Sequence, residues 1–138
     1  MAKFTPESLS ALLAREFPQA LSTRIVALGE GSATVRREIG VDDLRPGRTV
    51  SGPVLMALAD MATYCALLAD IGDVLLAVTT NLEIHFLRKP SADRALVAEA
   101  RTLKRGKRLA IVEVSIHAEG DDALLACATV TYSIPPAS

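Results

Sequence analysis

The stretch 49-TVSGPVLMALADMATYCALLA-69 decides the fold. Gly52 is suited to the N-cap, Pro53 to the first helical position through its fixed φ, and Gly72 stands just past the end in the usual C′ role. The spacing predicts a helix from Gly52 to Ile71, about five turns long. Ala57, Ala59, Ala62, Ala66 and Ala69 leave it apolar on most sides, whereas a helix lying on a surface carries a single apolar stripe. It is therefore expected to be wrapped by a sheet that closes tightly on its small side chains. The segment is also long enough for the roughly 30 Å hydrocarbon core of a membrane. Asp60 at its middle, the Ser51-Gly52-Pro53 start and the lack of a second such segment with basic flanks argue instead for a core helix and against a membrane partner.

Outward from this helix, Leu9, Leu12, Leu13 and Phe17 recur at helical spacing between Thr5 and Phe17. Arg24 to Leu28 and Ala33 to Ile39 form two strand candidates around a Gly29-Glu30-Gly31-Ser32 turn, and Val41 to Val50 is a polar loop. After Gly72 the period changes. Leu75 to Leu87, Ala95 to Leu103, Leu109 to Ala118 and Ala123 to Ile134 alternate as strands, with turns at Lys89 to Asp93, Lys104 to Lys107 and Glu119 to Asp122. Helix, hairpin, buried helix and four-strand meander make an α+β layout with one antiparallel sheet. At 138 residues, 50% of them hydrophobic, the chain is expected to be a single domain, 1–138.

Formal net charge is −1, which gives no nucleic-acid footprint. Cys65 and Cys127 lie in apolar runs without neighbouring ligand types, so both are expected as reduced thiols in a reducing, cytoplasmic setting. Glu7, Arg15 and Glu16 interrupt the N-terminal apolar positions, unlike a secretory signal. His85 and His117 have no metal-ligand spacing, and Ser51 has no triad partners at a familiar spacing.

Asp60 needs an explanation, because an ion inside an apolar helix costs several kcal/mol, on the order of a net domain stability, unless donors compensate. It faces a polar rim or is held by Thr63 and Tyr64 one turn on, purely for structure, or else it faces a cleft as general base or nucleophile. Gly52 supplies a free N–H at the positive end of the helix dipole, where an oxyanion can be received. Eight residues of helix separate the two, about 12 Å, too far to share one carbonyl group. If both act on one group, they come from different subunits related by a two-fold axis.

Gly47, the segment Val50-Ser51-Gly52-Pro53, Asp60 and the run from Thr79 to Pro90 (TTNLEIHFLRKP) follow in an order that resembles the hotdog-fold thioesterases of the phenylacetate-pathway (PaaI-like) family, over about Arg24 to Tyr132. The resemblance implies a long central helix wrapped by a five- or six-stranded antiparallel sheet. It also implies an acyl-CoA thioesterase working as a homodimer or homotetramer, with no cofactor beyond the coenzyme A of its substrate. Asp60, nine after Ser51, matches the family's catalytic acid, Gly52 its oxyanion glycine, and Thr79 (alternatively Thr80) the residue that positions water or substrate.

Three supporting positions depart from the family: Ser51 stands for its His, Pro53 for its second Gly, and Arg45 for an Asn. Ser51, Arg45, Thr63 and Thr80 are the expected substrate contacts around the thioester. Arg88, Lys89, Arg105 and Lys107, from a basic stretch ending at Arg108, are set either to meet coenzyme A phosphates or to form a solvated face. Without aromatic residues between them they do not suggest RNA. The departures leave open a hotdog domain that binds acyl-CoA or another apolar ligand without hydrolysing it, or a structural partner subunit.

Overall fold

The structure, a computed structural model, describes residues 1–136. Thr5 and Ser8 cap helix α1 (Pro6–Glu16) reciprocally, the Ser8 amide donating to Thr5 Oγ1 at 3.0 Å and the Thr5 amide to Ser8 Oγ at 2.9 Å. Its Leu9 and Leu13 enter the core. Strands β1 (Thr23–Gly29) and β2 (Ser32–Arg37) form the expected hairpin, with Gly31 at φ 76° in a turn that favours glycine. The 41–50 loop is more ordered than expected. It holds a short ladder of β3 (Leu44–Arg45) with β4 (Thr49–Val50), strands too short to leave an alternation in sequence.

Helix α2 runs Gly52–Ile71, the expected bounds, but its N-cap is Ser51, so Gly52 and Pro53 occupy the first two helical positions. The Ser51 side chain makes no capping bond. Four long strands follow: β5 (Val78–Phe86), β6 (Leu96–Arg105), β7 (Leu109–Ala118) and β8 (Leu124–Ser133). The first begins at Val78 instead of Leu75. The preceding residues turn on themselves, with the Ala77 amide on the Val74 carbonyl at 2.9 Å and the Leu75 carbonyl taken by the Tyr64 hydroxyl at 2.8 Å.

The six-stranded sheet has the order β1-β2-β6-β7-β8-β5, with every pairing antiparallel. It wraps α2, which packs against all six strands. Leu55, Leu58, Ala62, Ala66, Leu67 and Leu68 of the helix lie against Val35, Val112, Val114, Ile116 and Val130 of the sheet, all with at most 1% of their surface exposed. This is the hotdog fold. By length and hydropathy (1.7) α2 meets the test for a membrane span, yet most of it already lies against its own sheet.

One stripe of α2 stays uncovered. Pro53, Met56 and Ala57 are exposed and Asp60 and Met61 half-buried, positions one turn apart that share a face. Beside it lies the free edge of β5, where Val78, Phe86 and the following Leu87 are at least half exposed.

If enclosure of α2 carries the stability, Leu67→Ala should cost about 2–5 kcal/mol in chemical denaturation, because it leaves a cavity in the packed layer. Val41→Ala, at a position 82% exposed, should stay within about 0.5 kcal/mol.

Candidate active site

The apolar stretch that makes α2 a core helix also carries Asp60 to its uncovered stripe. There Thr79 of β5 and Tyr132 of β8 meet it: the Thr79 hydroxyl donates to Asp60 Oδ1 at 2.5 Å and the Tyr132 hydroxyl to the same oxygen at 3.0 Å. Asp60 Oδ2 has no partner among the described residues, so one carboxylate oxygen is fixed and the other faces the cleft.

A β-bulge makes this pairing. Thr79 pairs opposite Tyr132 and Asn81 opposite Thr131, so Thr80 is the extra residue. Strict alternation would put Thr80 on the inner face with Leu82 and Ile84. The bulge gives that place to Thr79, and Thr80 donates instead to the Thr131 carbonyl at 3.3 Å. Tyr132 was missed as a site residue in the sequence, where it closes an inward-facing set of apolar residues. A lone phenol in such a set, facing the helix that carries the unexplained carboxylate, was the signal that could have found it.

The expected hold on Asp60 from Thr63 and Tyr64 is not what the structure shows; Thr79 and Tyr132 supply it instead. Thr63 is fully buried and donates to the Ala59 carbonyl at 2.9 Å, and Tyr64 reaches Leu75, so neither side chain bonds Asp60. Thr63 is also out of reach as a substrate contact in this chain, because every face of its side chain is packed.

Asp60, Thr79 and Tyr132 line a cleft of about 580 Å³ whose other walls are Met61, Tyr64, residues 75–78 and, from the end of α1, Glu16 and Phe17. The Phe17 ring stands edge-on to Tyr64 at 6.0 Å, and Tyr64 lies 6.2 Å from Tyr132. A second cleft, of about 670 Å³, brings Gly52 together with Arg45, Arg88 and Lys89. Space beside Gly52 is tight: a Cβ on it would sit 3.3 Å from the half-exposed Phe86 ring, which would have to give way slightly. As first residue of α2 its N–H has no intrahelical acceptor. Ser51, just before it, is tied by its own amide to the Asp43 carbonyl at 2.9 Å.

Arg105 and Lys107 are not brought to either cleft. They lie at the other end of α2 in a third cleft with Arg108 and Asp73, and Arg105 is ion-paired with Asp70 at 3.0 Å. The basic stretch read as one feature is thus two, at opposite ends of the helix. His117 contacts Glu99 at 3.0 Å, and His85 is exposed on β5, away from Asp60.

Burial pushes the Cys65 thiol up to about 12, an unreactive form, and raises both tyrosines above the usual phenol range. For Tyr132 burial is the larger cause and the adjacent Asp60 charge the next, so its hydroxyl keeps its proton and remains a donor.

Residues 47–125 match the thioesterase superfamily. A crystal structure of a protein from Silicibacter sp. TM1040, provisionally described as a thioesterase, is 42% identical, covers 99% of this chain and 95% of its own, and superposes with a TM-score of 0.88. A mutant of the phenylacetic acid degradation protein PaaI from Thermus thermophilus is 28% identical over 87% of this chain and 99% of its own, with a TM-score of 0.74. A Streptococcus mutans protein solved with acetyl-CoA has the same fold at 20% identity, over 83% of this chain and 89% of its own, with a TM-score of 0.75. No curated protein matches the chain in sequence.

The chain has two tyrosines, and both are shifted upward. Native protein should therefore show less tyrosinate absorbance than the unfolded chain around pH 10, where free phenols ionise, and should gain it on unfolding. Since the unfolded chain loses these protons first, their contribution to stability is full below about pH 10 and falls as pH rises further. Ionisation of both tyrosines near pH 10 in folded protein would contradict the buried Tyr132 donor.

Proposed function

The chain belongs to the thioesterase superfamily, and from that premise we propose that it hydrolyses acyl-CoA thioesters to the free acid and thiol, with Asp60 as general base or nucleophile. The observation that carries this reading is the one-sided anchoring of Asp60. Two hydroxyl donors hold Oδ1, and Oδ2 is left toward an open cleft. Held at one oxygen and free at the other, the carboxylate keeps its aim while the free oxygen can meet a water or a carbonyl carbon in the cleft.

In the general-base form, Oδ2 takes a proton from water as the water oxygen bonds to the thioester carbonyl carbon. The carbonyl oxygen becomes an oxyanion, received by the Gly52 N–H at the positive end of α2. Collapse breaks the carbon–sulfur bond, and the thiolate takes the proton back from Asp60. Thr79 and Tyr132 keep the carboxylate aimed throughout. No step calls on a metal or a redox cofactor.

Asp60 and Gly52 lie eight residues apart on one helix, about 12 Å, so the mechanism needs Gly52 from a partner subunit. The uncovered stripe of α2 and the free apolar edge of β5 form one continuous surface that carries both residues, and a two-fold axis through it would build two equivalent sites. Ser51, Arg45, Arg88 and Lys89 would then stand at the Gly52 end of each site, as contacts for the thioester and the coenzyme A phosphates. Arg105 and Lys107 would reach phosphate only from elsewhere in the assembly. The S. mutans protein of this fold holds acetyl-CoA, which fits the same ligand class. A reducing, cytoplasmic setting suits two unpaired cysteines.

The replacement of the family's His, Gly and Asn by Ser51, Pro53 and Arg45 favours a second reading, a domain that binds acyl-CoA without hydrolysis. Asp60→Asn decides between them. It keeps shape and the donors from Thr79 and Tyr132 but removes the base, so kcat for thiol release should fall on the order of a hundredfold or more with melting temperature little changed. Wild-type turnover by the variant removes Asp60 from the chemistry. A wild type without turnover that melts higher with acyl-CoA is the binding domain.

Light scattering at micromolar concentration should give at least twice the 14.6 kDa chain mass. A monomer with full thiol release would contradict a site shared between subunits.

A further inference from the structure

We propose that Glu16 and Phe17, at the end of α1, form the distal wall of the acyl pocket and restrict the substrate to uncharged, apolar acyl groups of limited length. This rests on the thioesterase reading and deepens it. The two arms of a thioester leave its carbonyl in opposite directions, and the clefts differ in kind. The Gly52 cleft is lined by three cations and no carboxylate, as the phosphate-bearing arm requires. The Asp60 cleft is lined by Asp60 and Glu16 with no Lys or Arg among the described residues, and its other walls are mostly apolar or aromatic, as an acyl arm requires.

Glu16 then acts by exclusion. An acyl group ending in a carboxylate would have to bring its charge beside Glu16, at the end of a cleft whose own walls carry no cation, and like charges at close range disfavour binding. Phe17 acts by size. Its backbone is held at the end of α1 by its amide on the Leu13 carbonyl at 2.7 Å and by its carbonyl under the Ala20 amide at 2.9 Å, while its ring braces edge-on against Tyr64. A ring fixed at both backbone and face is a stop for a growing acyl chain. Both residues precede the span that matches the thioesterase superfamily, at the end of α1.

The test is thiol release from acetyl-, butyryl-, hexanoyl-, dodecanoyl- and succinyl-CoA by the full chain and by Phe17→Ala, Phe17→Leu and Glu16→Gln, read as ratios of kcat/KM. Phe17→Ala should raise dodecanoyl relative to hexanoyl by about tenfold or more, with Phe17→Leu between, since pocket fit to a few methylenes is worth about 10–200-fold. Glu16→Gln should raise succinyl relative to butyryl several-fold. Should Phe17→Ala not fold, by its melting curve, the Leu and Gln variants carry the same comparison. Unmoved ratios with active wild type overturn the wall while leaving the thioesterase reading intact. No thiol release by wild type from any ester overturns both.

Discussion

The enclosure of α2 by one antiparallel sheet sets every other feature, because it buries Leu55, Leu58, Leu67 and Leu68 together with the alanines between them and leaves one stripe free. A helix so apolar has no stable place at a surface, and the sheet can close on it only because Ala59, Ala62 and Ala66 let the strands approach. The stripe that remains uncovered is where a carboxylate can sit inside the same segment without the full cost of burying an ion. Asp60 is thus tolerated by the fold at the boundary between enclosed and open faces, where a ligand also has access.

Much of this was legible from residue types. The alanines around the helix and the period-two runs after Gly72 carry their own physical signal, and the helix bounds and sheet class follow from them. What was hidden is what depends on register. The β5 bulge at Thr80 reverses the face that alternation alone would assign to Thr79, and a bulge made without Gly or Pro leaves no mark in the sequence. Tyr132 was concealed for a related reason: its place beside Asp60 comes from strands far apart in sequence pairing across the sheet. The basic stretch misled in the opposite direction. Neighbours in sequence, Arg88 and Arg105 are carried by β6 to opposite ends of α2.

The departures from the family pattern gain physical content from the helix start. With Ser51 at the N-cap and making no side-chain capping bond, its hydroxyl is not committed to the helix. Pro53 at the second helical position lacks an N–H that would have had no intrahelical partner in any case, so helix stability does not suffer. The change bears on the anion site alone. It removes one N–H that could have joined that of Gly52 in receiving a bound oxygen and leaves the Gly52 N–H alone at that point. Arg45, in the same cleft, adds positive charge where the family has a neutral amide.

That charge also bears on how two subunits would meet. The Gly52 cleft presents Arg45, Arg88 and Lys89, and the Asp60 cleft presents Asp60 and Glu16. The proposed two-fold axis through the stripe of α2 and the β5 edge would pair the positive cleft of one chain with the negative cleft of the other, twice, so that one contact would serve assembly and the site. Complementary potentials favour that pairing over one that sets like clefts together. On the proposed function they would also give a coenzyme A ester one orientation, its phosphates drawn to one side of the joint site and its uncharged acyl group tolerated on the other. Direction of binding would then follow from the charges at the two ends of the site, and acyl specificity from a cleft walled by Met61, Tyr64 and residues 75–78 together with Glu16 and Phe17 of the N-terminal segment.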